Sequence, residues 1–197
     1  MSADEVAQKL EKTTLNSVSH PLNTKWTLWY TKPAIDKSES WSDLLRPVTS
    51  FKTVEEFWAV QQNVPEPRDL PMKSDYHVFR NDIRPEWEDA ANAKGGKWSA
   101  QIRGNKHSEI NQLWLKAVLS VIGETVDEDE SEVNGVVLSV RKGNFKIALW
   151  TKSESKEPLQ KIGARFKKIL ELEDDEHLDF FPHSIANVKH PQPAISL

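Results

Sequence analysis

The sequence predicts an α+β fold in which an antiparallel sheet is backed by helices. Segments with a period of two alternate with three segments of helical periodicity, but without the strict strand-helix-strand order of a parallel sheet. The 197 residues suit one domain. With 38% hydrophobic and 28% charged residues, the chain has enough apolar side chains for one core of modest size.

The first half of the chain contains one predicted helix among three predicted strands. Residues 1–19 are polar, so we expect a disordered tail that ends at His20-Pro21, with the domain proper spanning residues 20–197. A capping box over residues 53–56 begins a short helix that carries Trp58. Strands are predicted over residues 24–30, where β-forming side chains alternate, and over residues 75–79 and 98–102.

The second half of the chain contains two further helices and a hairpin. Ser108 is a candidate N-cap for a helix over residues 109–122, and Pro158 is a candidate first residue of the final helix. The acidic residues 127–132 lack the ligand pattern of a calcium-binding loop, which indicates a solvated loop. Strands are predicted over residues 133–140 and 145–150, joined by a turn at Gly143 and Asn144, and around Phe180-Phe181.

Composition excludes several classes of site. The absence of cysteine excludes disulfides, thiolate zinc sites and cysteine nucleophiles, and the six histidines show no metal-binding spacing. The net charge of -4 argues against broad electrostatic adhesion to duplex nucleic acid. No segment has the length and apolarity of a membrane span or of a secretory signal. We therefore expect a cytoplasmic or nuclear protein with no membrane contact, metal or cofactor.

Tryptophan is unusually frequent, with eight against seven phenylalanines and two tyrosines. Four of the eight, Trp26, Trp29, Trp98 and Trp114, lie in strand or helix patterns typical of a core. Trp41 and Trp87 lie instead in polar segments, so we expect both to be exposed. They either anchor loops to the sheet or stack on the two faces of a planar ligand. A tryptophan pair binds a cationic ring especially well.

Charged residues near these tryptophans suit a nucleotide. Glu88 could accept hydrogen bonds from the N1–H and N2–H₂ edge of guanine, although a solvated carboxylate is the commoner role. Arg141 and Lys146 on the predicted hairpin, with Lys97, could bind phosphates. Glu86 and Glu88 are poor candidates for a glycosidase pair, and the motifs of common hydrolases and nucleotide-binding enzymes are missing. Binding without catalysis is the expected function class.

The helix at 109–122 carries two apolar stripes and therefore needs two partners. One stripe is typical of a core, whereas Leu115, Leu119 and Ile122 form the other. That second stripe either is buried under a neighbouring segment or forms a groove for an amphipathic helix, together with Val54 and Trp58.

Several motifs together resemble one family. In chain order they are His20-Pro21-Leu22, the segment from Thr53 to Trp58, Trp87-Glu88-Asp89, Gly95-Gly96-Lys97-Trp98, Ile122-Gly123-Glu124 and the segment from Lys146 to Trp150. In order and spacing they resemble the eukaryotic translation initiation factor 4E family, which binds the 7-methylguanosine cap of messenger RNA. The segments 180–184 and 190–193 are similar to yeast members in particular.

The resemblance implies a strongly curved antiparallel sheet of about eight strands, with three helices on the convex face and no enzymatic activity. It implies that Trp41 and Trp87 sandwich the methylated guanine, that Glu88 reads its edge, and that Trp150 contacts the methyl group. It assigns the phosphates to Arg141, Lys146 and Lys97.

The resemblance also implies two kinds of protein partner, the scaffold factor 4G and the regulatory 4E-binding proteins, both carrying a Tyr-x-x-x-x-Leu-hydrophobic motif. The residues implied to bind them on the convex face are His20, Pro21, Val54, Trp58, Leu115, Leu119 and Ile122. Outside the initiation complex the protein is expected to be a monomer.

The chain departs from many animal members of the family at three positions. Gly143 and Lys97 replace a lysine and an arginine of the phosphate site, and Lys116 replaces an acidic residue that pairs with the partner. Three alternatives stay open at this point: a cap-binding repressor of the related homologous-protein class, a cap-processing hydrolase, and a carbohydrate-binding or glycoside-cleaving module.

Overall fold

The computed structural model describes residues 19–36, 38–127 and 132–197. Of the predicted N-terminal tail, all but Ser19 lies outside these residues. Most of the acidic loop lies outside them as well.

Eight strands form one sheet in the order β2-β1-β3-β5-β6-β4-β7-β8, and every neighbouring pair is antiparallel. The sheet is curved, which confirms the predicted fold class. The strands are β1 (Pro21–Thr31), β2 (Leu45–Thr53), β3 (Asp75–Arg80), β4 (Gly96–Ile102), β5 (Val133–Arg141), β6 (Asn144–Thr151), β7 (Leu178–Pro182) and β8 (Ile195–Ser196).

Three long α-helices, as predicted, and one additional short α-helix accompany the sheet in the described part of the chain. The short one, α1 (Trp41–Leu44), precedes β2. The long ones are α2 (Val54–Asn63), α3 (Ile110–Ile122) and α4 (Lys156–Ile169). Their apolar faces cover the convex side of the sheet.

The main core lies between the sheet and these helices. Alternate strand residues such as Trp98 and Leu149 point into it and are fully buried, as is Phe166 of α4. The other strand residues face the concave side, where a smaller apolar cluster contains Trp29, Phe79 and Trp150. Because strand side chains alternate between faces, each strand serves both the core and the concave surface. The four tryptophans predicted to be core are at most 7% exposed.

The structure corrects four details of the sequence-based prediction. The segment that became β2 was not predicted as a strand. Ser108 does not cap α3, because α3 begins at Ile110 and the Ser108 hydroxyl donates instead to the Asn105 carbonyl. Pro158 is the third residue of α4 rather than the first, since α4 begins at Lys156. The two ends of the acidic segment, Asp127 and Glu132, are buried rather than solvated.

Strand β2 was not predicted because it lies at the edge of the sheet and lacks the alternation of apolar residues that marks a strand. Five of its nine residues in succession are exposed, so its apolar positions do not alternate. It also contains Pro47, which lies opposite Trp29 at an irregularity in the register. An edge strand tolerates a proline because its outer N–H groups need no partner.

Gly163 in α4 provides a test of this packing. A Cβ added there would lie 2.6 Å from the Trp98 indole, too close without movement of the core. Glycine to alanine normally stabilises a helix by about 1 kcal/mol, whereas overpacking a core costs about 1–3 kcal/mol. We therefore expect Gly163→Ala to lower the free energy of unfolding, measured by urea denaturation.

The neighbouring exposed residue gives the matched control. Ala164→Gly reports the helix propensity alone, about 1 kcal/mol of destabilisation. If Gly163→Ala raised stability by a similar amount, the close contact between α4 and Trp98 would be refuted.

Candidate functional site

A cleft of about 630 Å³ lies on the concave face of the sheet. The strands β3, β4, β5 and β6 form its floor with alternate residues, and α1, the segment 85–88 and the segment 181–191 form its walls. All seven residues predicted to bind the cap line this cleft: Trp41, Trp87, Glu88, Lys97, Arg141, Lys146 and Trp150.

Trp41 and Trp87 are both accessible at the cleft, at 43% and 40% exposure. This confirms the prediction that they are exposed. Trp41 is the first residue of α1 rather than part of a loop, and the Ser40 hydroxyl caps that helix by accepting from the Asp43 N–H at 3.3 Å. The Trp41 and His77 rings are nearly perpendicular, at 85°, with centroids 6.2 Å apart. Trp41 therefore has a fixed backbone and a side chain free to stack.

The segment that presents Trp87 is held from beneath by buried amides. The Asn92 side chain donates to the carbonyls of Arg84 (2.9 Å) and Glu86 (2.8 Å). Asn134 at the start of β5 donates to the Asn92 side-chain oxygen at 3.0 Å, which ties the segment to the sheet. Both amides are at most 3% exposed. Buried, fully paired amides of this kind fix one loop conformation.

A second set of contacts joins the two tryptophan-bearing segments. The Arg84 guanidinium donates to both carboxylate oxygens of Glu86, at 3.1 and 2.7 Å. The Ser42 hydroxyl of α1 donates to Glu86 at 3.3 Å. Arg84 also lies over the Trp29 ring, 5.7 Å from its centroid. The Arg84 ion pair lowers the pKa of Glu86, so this link stays charged at neutral pH.

Trp150 lies on the floor of the cleft. It is only 7% exposed, and its ring packs against Phe79 and His183 at centroid distances of 5.4 and 4.2 Å. Its cross-strand neighbour on β4 is Lys97. Trp150 can therefore offer a small apolar contact rather than a stacking face.

Three cations share the lower part of the cleft with one carboxylate. Arg141 forms an ion pair with Asp75 at 2.9 Å, and its other terminal nitrogen donates to the Val140 carbonyl at 2.9 Å. Lys146 lies opposite Ser139 on β5, one strand away from Lys97 on β4. Burial lowers the pKa of Lys97, and the nearby Lys146 acts in the same direction. An anion bound between these cations would relieve their mutual repulsion.

Two histidines in the cleft are neutral at physiological pH. Burial lowers the pKa of His77 to about 3, and the charge of Arg141 acts in the same direction. Burial, aided by Lys97, lowers the pKa of His183 to about 4. Burial raises the pKa of Asp75, against the opposing effects of Ser139 and Arg141. The cleft therefore presents its positive charge through Lys97, Lys146 and Arg141.

The sequence did not indicate roles for Asp75, His77 or His183, nor for Arg84. His77 and Asp75 fall two residues apart on a predicted strand, so their shared face could have been read from the period of two. His183 could not, because it reaches Trp150 only through the fold.

The convex face carries a separate exposed apolar patch. Val54, Trp58 and Leu119 are 36%, 39% and 38% exposed, and Leu115 is partly buried beside them. Ile122, the last member of the predicted stripe, is only 5% exposed and belongs to the main core. One apolar stripe of α3 is thus only partly covered.

His20 and Pro21 lie next to the N-terminus of α2. The His20 side chain and backbone N–H both contact the Glu55 carboxylate, at 2.6 and 3.1 Å, and the His20 carbonyl accepts from the Val54 N–H. Pro21 is paired with Thr53 across β1 and β2. On the opposite side of the same patch, Lys116 forms an ion pair with Glu171 at 2.7 Å.

Within residues 19–36, 38–127 and 132–197, no cluster of three or more acidic or histidine side chains could hold a metal ion. No helix of these ranges combines the length and apolarity that spanning a membrane requires.

Comparison with known proteins identifies the family. The model of the family described as eukaryotic initiation factor 4E matches residues 21–196. The chain belongs to the eukaryotic initiation factor 4E family. A relative from Saccharomyces cerevisiae, named eukaryotic translation initiation factor 4E, is 66% identical over 214 residues, with all of both chains covered.

Solved structures of this family share the fold. The complex of C. elegans eIF4E-3 with the 4E-binding protein Mextli and a cap analogue superposes with a TM-score of 0.83 at 32% identity, covering 91% of this chain and 100% of that one. Ascaris suum eIF4E-3 with the m7G cap gives 0.84 at 33% identity, covering 91% and 98%. These likenesses agree with the resemblance drawn from the motifs.

The buried Asn92 amide is expected to set the stability of the Trp87 segment. Asn92→Ala leaves the carbonyls of Arg84 and Glu86 without their donor, so we expect a loss of about 1–3 kcal/mol in the free energy of unfolding. Urea denaturation followed by circular dichroism measures it.

The matched control is Asn63→Ala, which removes an exposed amide with a single bond to the Ala59 carbonyl. We expect a change within about 0.5 kcal/mol there. Equal effects of the two substitutions would contradict the role given to Asn92.

Proposed function

We propose that this protein binds the 7-methylguanosine cap of messenger RNA in the concave cleft and joins it to a protein partner on the convex face. The observation that carries the first half is the cleft itself. It combines two exposed tryptophans, a carboxylate and three cations in one space of about 630 Å³. Family membership and the cap complexes of the structural neighbours support the same ligand.

The base-binding step uses Trp41 and Trp87 as a sandwich. Methylation at N7 gives the guanine ring a delocalised positive charge, which strengthens its attraction to both indole faces. Each stack contributes about 1–3 kcal/mol. Ser42 and Glu86 link the segments that carry the two rings, so little ordering is needed when the base enters.

Glu88 gives the site its preference for guanine. Its side chain follows Trp87 at the wall of the cleft and is exposed, so its two oxygens can accept from the N1–H and N2–H₂ groups of the stacked base. A positive charge on the ring strengthens this pair, because the donors as well as the acceptors of both hydrogen bonds are then charged. Trp150 meets the methyl group from the floor.

The phosphates follow the strands away from the base. Lys97 lies level with Trp150, whereas Lys146 precedes Trp150 by four residues on β6 and Arg141 ends β5. Strands rise about 3.3 Å per residue, so these cations span about 13 Å, enough for a chain of phosphates. A neutral sugar would need none of these charges, which disfavours the carbohydrate alternative.

The convex patch is the proposed binding surface for the scaffold factor 4G and for 4E-binding regulatory proteins. Val54, Trp58 and Leu119 offer an exposed apolar surface of the kind that receives an amphipathic helix. Leu115 lies beside them, with Ile122 beneath and His20 and Pro21 at one side. Position 116 is a lysine, which forms an ion pair with Glu171. An arginine of the partner therefore has no acidic side chain at position 116 to pair with.

Binding on both faces makes the protein an adaptor in translation initiation rather than an enzyme. It acts in the cytoplasm, with the nucleus as a second compartment, and is a monomer outside the initiation complex.

Two tryptophans of nearly equal exposure, on opposite faces of the protein, allow cap binding and partner binding to be tested separately. Trp87 is 40% and Trp58 is 39% exposed. We expect Trp87→Ala to weaken 7-methyl-GTP binding by at least about tenfold, since one stack is lost, and to leave the binding of a Tyr-x-x-x-x-Leu peptide unchanged. Trp58→Ala should do the reverse.

Both affinities are measured by isothermal titration calorimetry on both variants. Retention of full 7-methyl-GTP affinity by Trp87→Ala would overturn the cap site, and retention of peptide affinity by Trp58→Ala would overturn the partner site.

Glu88→Gln tests whether Glu88 accepts hydrogen bonds from the edge of the guanine base. Glutamine offers only one acceptor oxygen and no charge, so we expect 7-methyl-GTP affinity to fall by about ten- to a hundredfold, in line with about 1.5–3 kcal/mol for a charged hydrogen bond. Glu157→Gln on α4 is the control, because that side chain is exposed on the far side of the sheet. The affinity of both variants for 7-methyl-GTP is measured by fluorescence titration. Equal affinities of Glu88→Gln and the control would exclude Glu88 from the site.

A further inference from the structure

One end of the four central strands carries cations that the cap site does not use. Lys73 lies two residues before β3, Lys142 lies in the turn between β5 and β6, and Arg103 directly follows β4. We call these three residues the hairpin-end cluster. All three are exposed.

Backbone pairing brings the hairpin-end cluster together. The Lys73 N–H donates to the Val140 carbonyl at 2.9 Å, which places Lys73 beside the end of β5. Ile102 is paired with Phe145, so Arg103 leaves β4 next to the start of β6. Lys142 lies between them in the two-residue turn. The three cations therefore border the same end of the sheet.

Arg103 is turned toward the concave face. Its guanidinium contacts the Gln101 side chain, and Gln101 lies opposite Lys146 of the cap site. On the other side, Lys142 directly follows Arg141. The hairpin-end cluster is thus continuous with the cations that hold the phosphates.

The charge of the hairpin-end cluster is not neutralised by the protein. In the part of the chain that the structure describes, no ion pair joins a carboxylate to Lys73, Arg103 or Lys142, whereas Arg141 is paired with Asp75. The chain as a whole carries a net charge of -4, so an uncompensated positive patch marks a surface for an anion.

The direction of the cap site leads to this patch. Trp87 and Trp150 lie toward the end of the sheet where β3 and β6 end, and the phosphate cations continue from Lys97 toward the turn at Lys142. A nucleotide whose base lies between the tryptophans and whose phosphates follow Lys97 and Lys146 has its far end at the hairpin. A chain attached to that end is directed toward the hairpin-end cluster.

We propose that Lys73, Arg103 and Lys142 bind the phosphates of the first nucleotides of the RNA chain attached to the cap. This inference rests on the proposed function. The contact is independent of base sequence, because the cluster offers charge and no reader of base edges. Its signature is salt dependence: each phosphate neutralised on a single strand adds about 0.7 to the slope of log affinity against log salt.

The test compares two ligands on the full chain and two triple variants. The ligands are 7-methyl-GTP and a capped, unstructured RNA of about ten nucleotides. The test variant is Lys73→Gln with Arg103→Gln and Lys142→Gln. The control variant, Lys52→Gln with Lys156→Gln and Lys168→Gln, makes the same change of charge at exposed positions on β2 and α4.

We expect the wild-type chain and the control variant to bind the capped RNA about tenfold more tightly than 7-methyl-GTP at low salt. The test variant should lose this gain, keep its affinity for 7-methyl-GTP and show a salt slope for the capped RNA lower by about 2, that is, about three phosphate contacts at 0.7 each.

The outcomes separate this inference from the proposed function. Suppose that the wild-type chain binds 7-methyl-GTP normally. If it binds the capped RNA no more tightly, or if the test variant keeps the tighter binding of the capped RNA, the role proposed for the hairpin-end cluster is overturned and the proposed function stands. Loss of the gain in the control variant as well would show an effect of net charge and would also overturn it. Failure of the wild-type chain to bind 7-methyl-GTP overturns both. Circular dichroism confirms that each variant is folded.

Discussion

The alternation of side chains along the central strands is the constraint on which the rest of the structure depends. On β6, Ile147 and Leu149 enter the core, while Lys146 and Trp150 face the cleft. A shift of one residue in the pairing would exchange these two sets and destroy the core and the cleft together. The antiparallel pairs on both sides of β6 therefore fix the site as firmly as they fix the fold. One face of these strands packs in the core and stabilises the fold, and the opposite face forms the cleft.

The electrostatics of the cleft follow from how deeply each group is buried. Burial keeps His77 and His183 neutral, so neither histidine adds a positive charge that would repel a cationic ring. The positive charge extends from Lys97, level with Trp150, to Lys146 and Arg141 near the turn between β5 and β6, where Arg141 is paired with Asp75. A ligand that is positive at one end and negative at the other matches this arrangement. A 7-methylguanosine nucleotide has that distribution of charge.

Much of this could be predicted from the sequence, because the decisive signals are local. The period of two identified β1, β-forming residues beside turn signals identified β4, β5 and β6, and the polar surroundings of Trp41 and Trp87 indicated exposure. The role of Trp150 needed the resemblance to a family, because nothing in its local sequence marks it as a ligand contact. Strand β2 was missed because an edge strand needs no apolar alternation.

The remaining features arise only when distant segments meet. The contact of Trp150 with His183, and the support of the Trp87 segment by Asn134, join residues more than thirty positions apart. No local pattern reports such pairs. In the second stripe of α3, Leu119 is exposed, whereas Ile122 is buried in the main core, which also contains Val126.

The central claim is that the cleft recognises a cationic guanine by stacking it between two tryptophans. The most direct measurement is a parallel titration of the full chain with 7-methyl-GTP and with GTP, followed by intrinsic tryptophan fluorescence, with the ligand recovered afterwards and checked for cleavage. The account predicts strong quenching by the methylated nucleotide, much weaker quenching by GTP, and an intact ligand. Equal quenching by both nucleotides, or none by either, would contradict it.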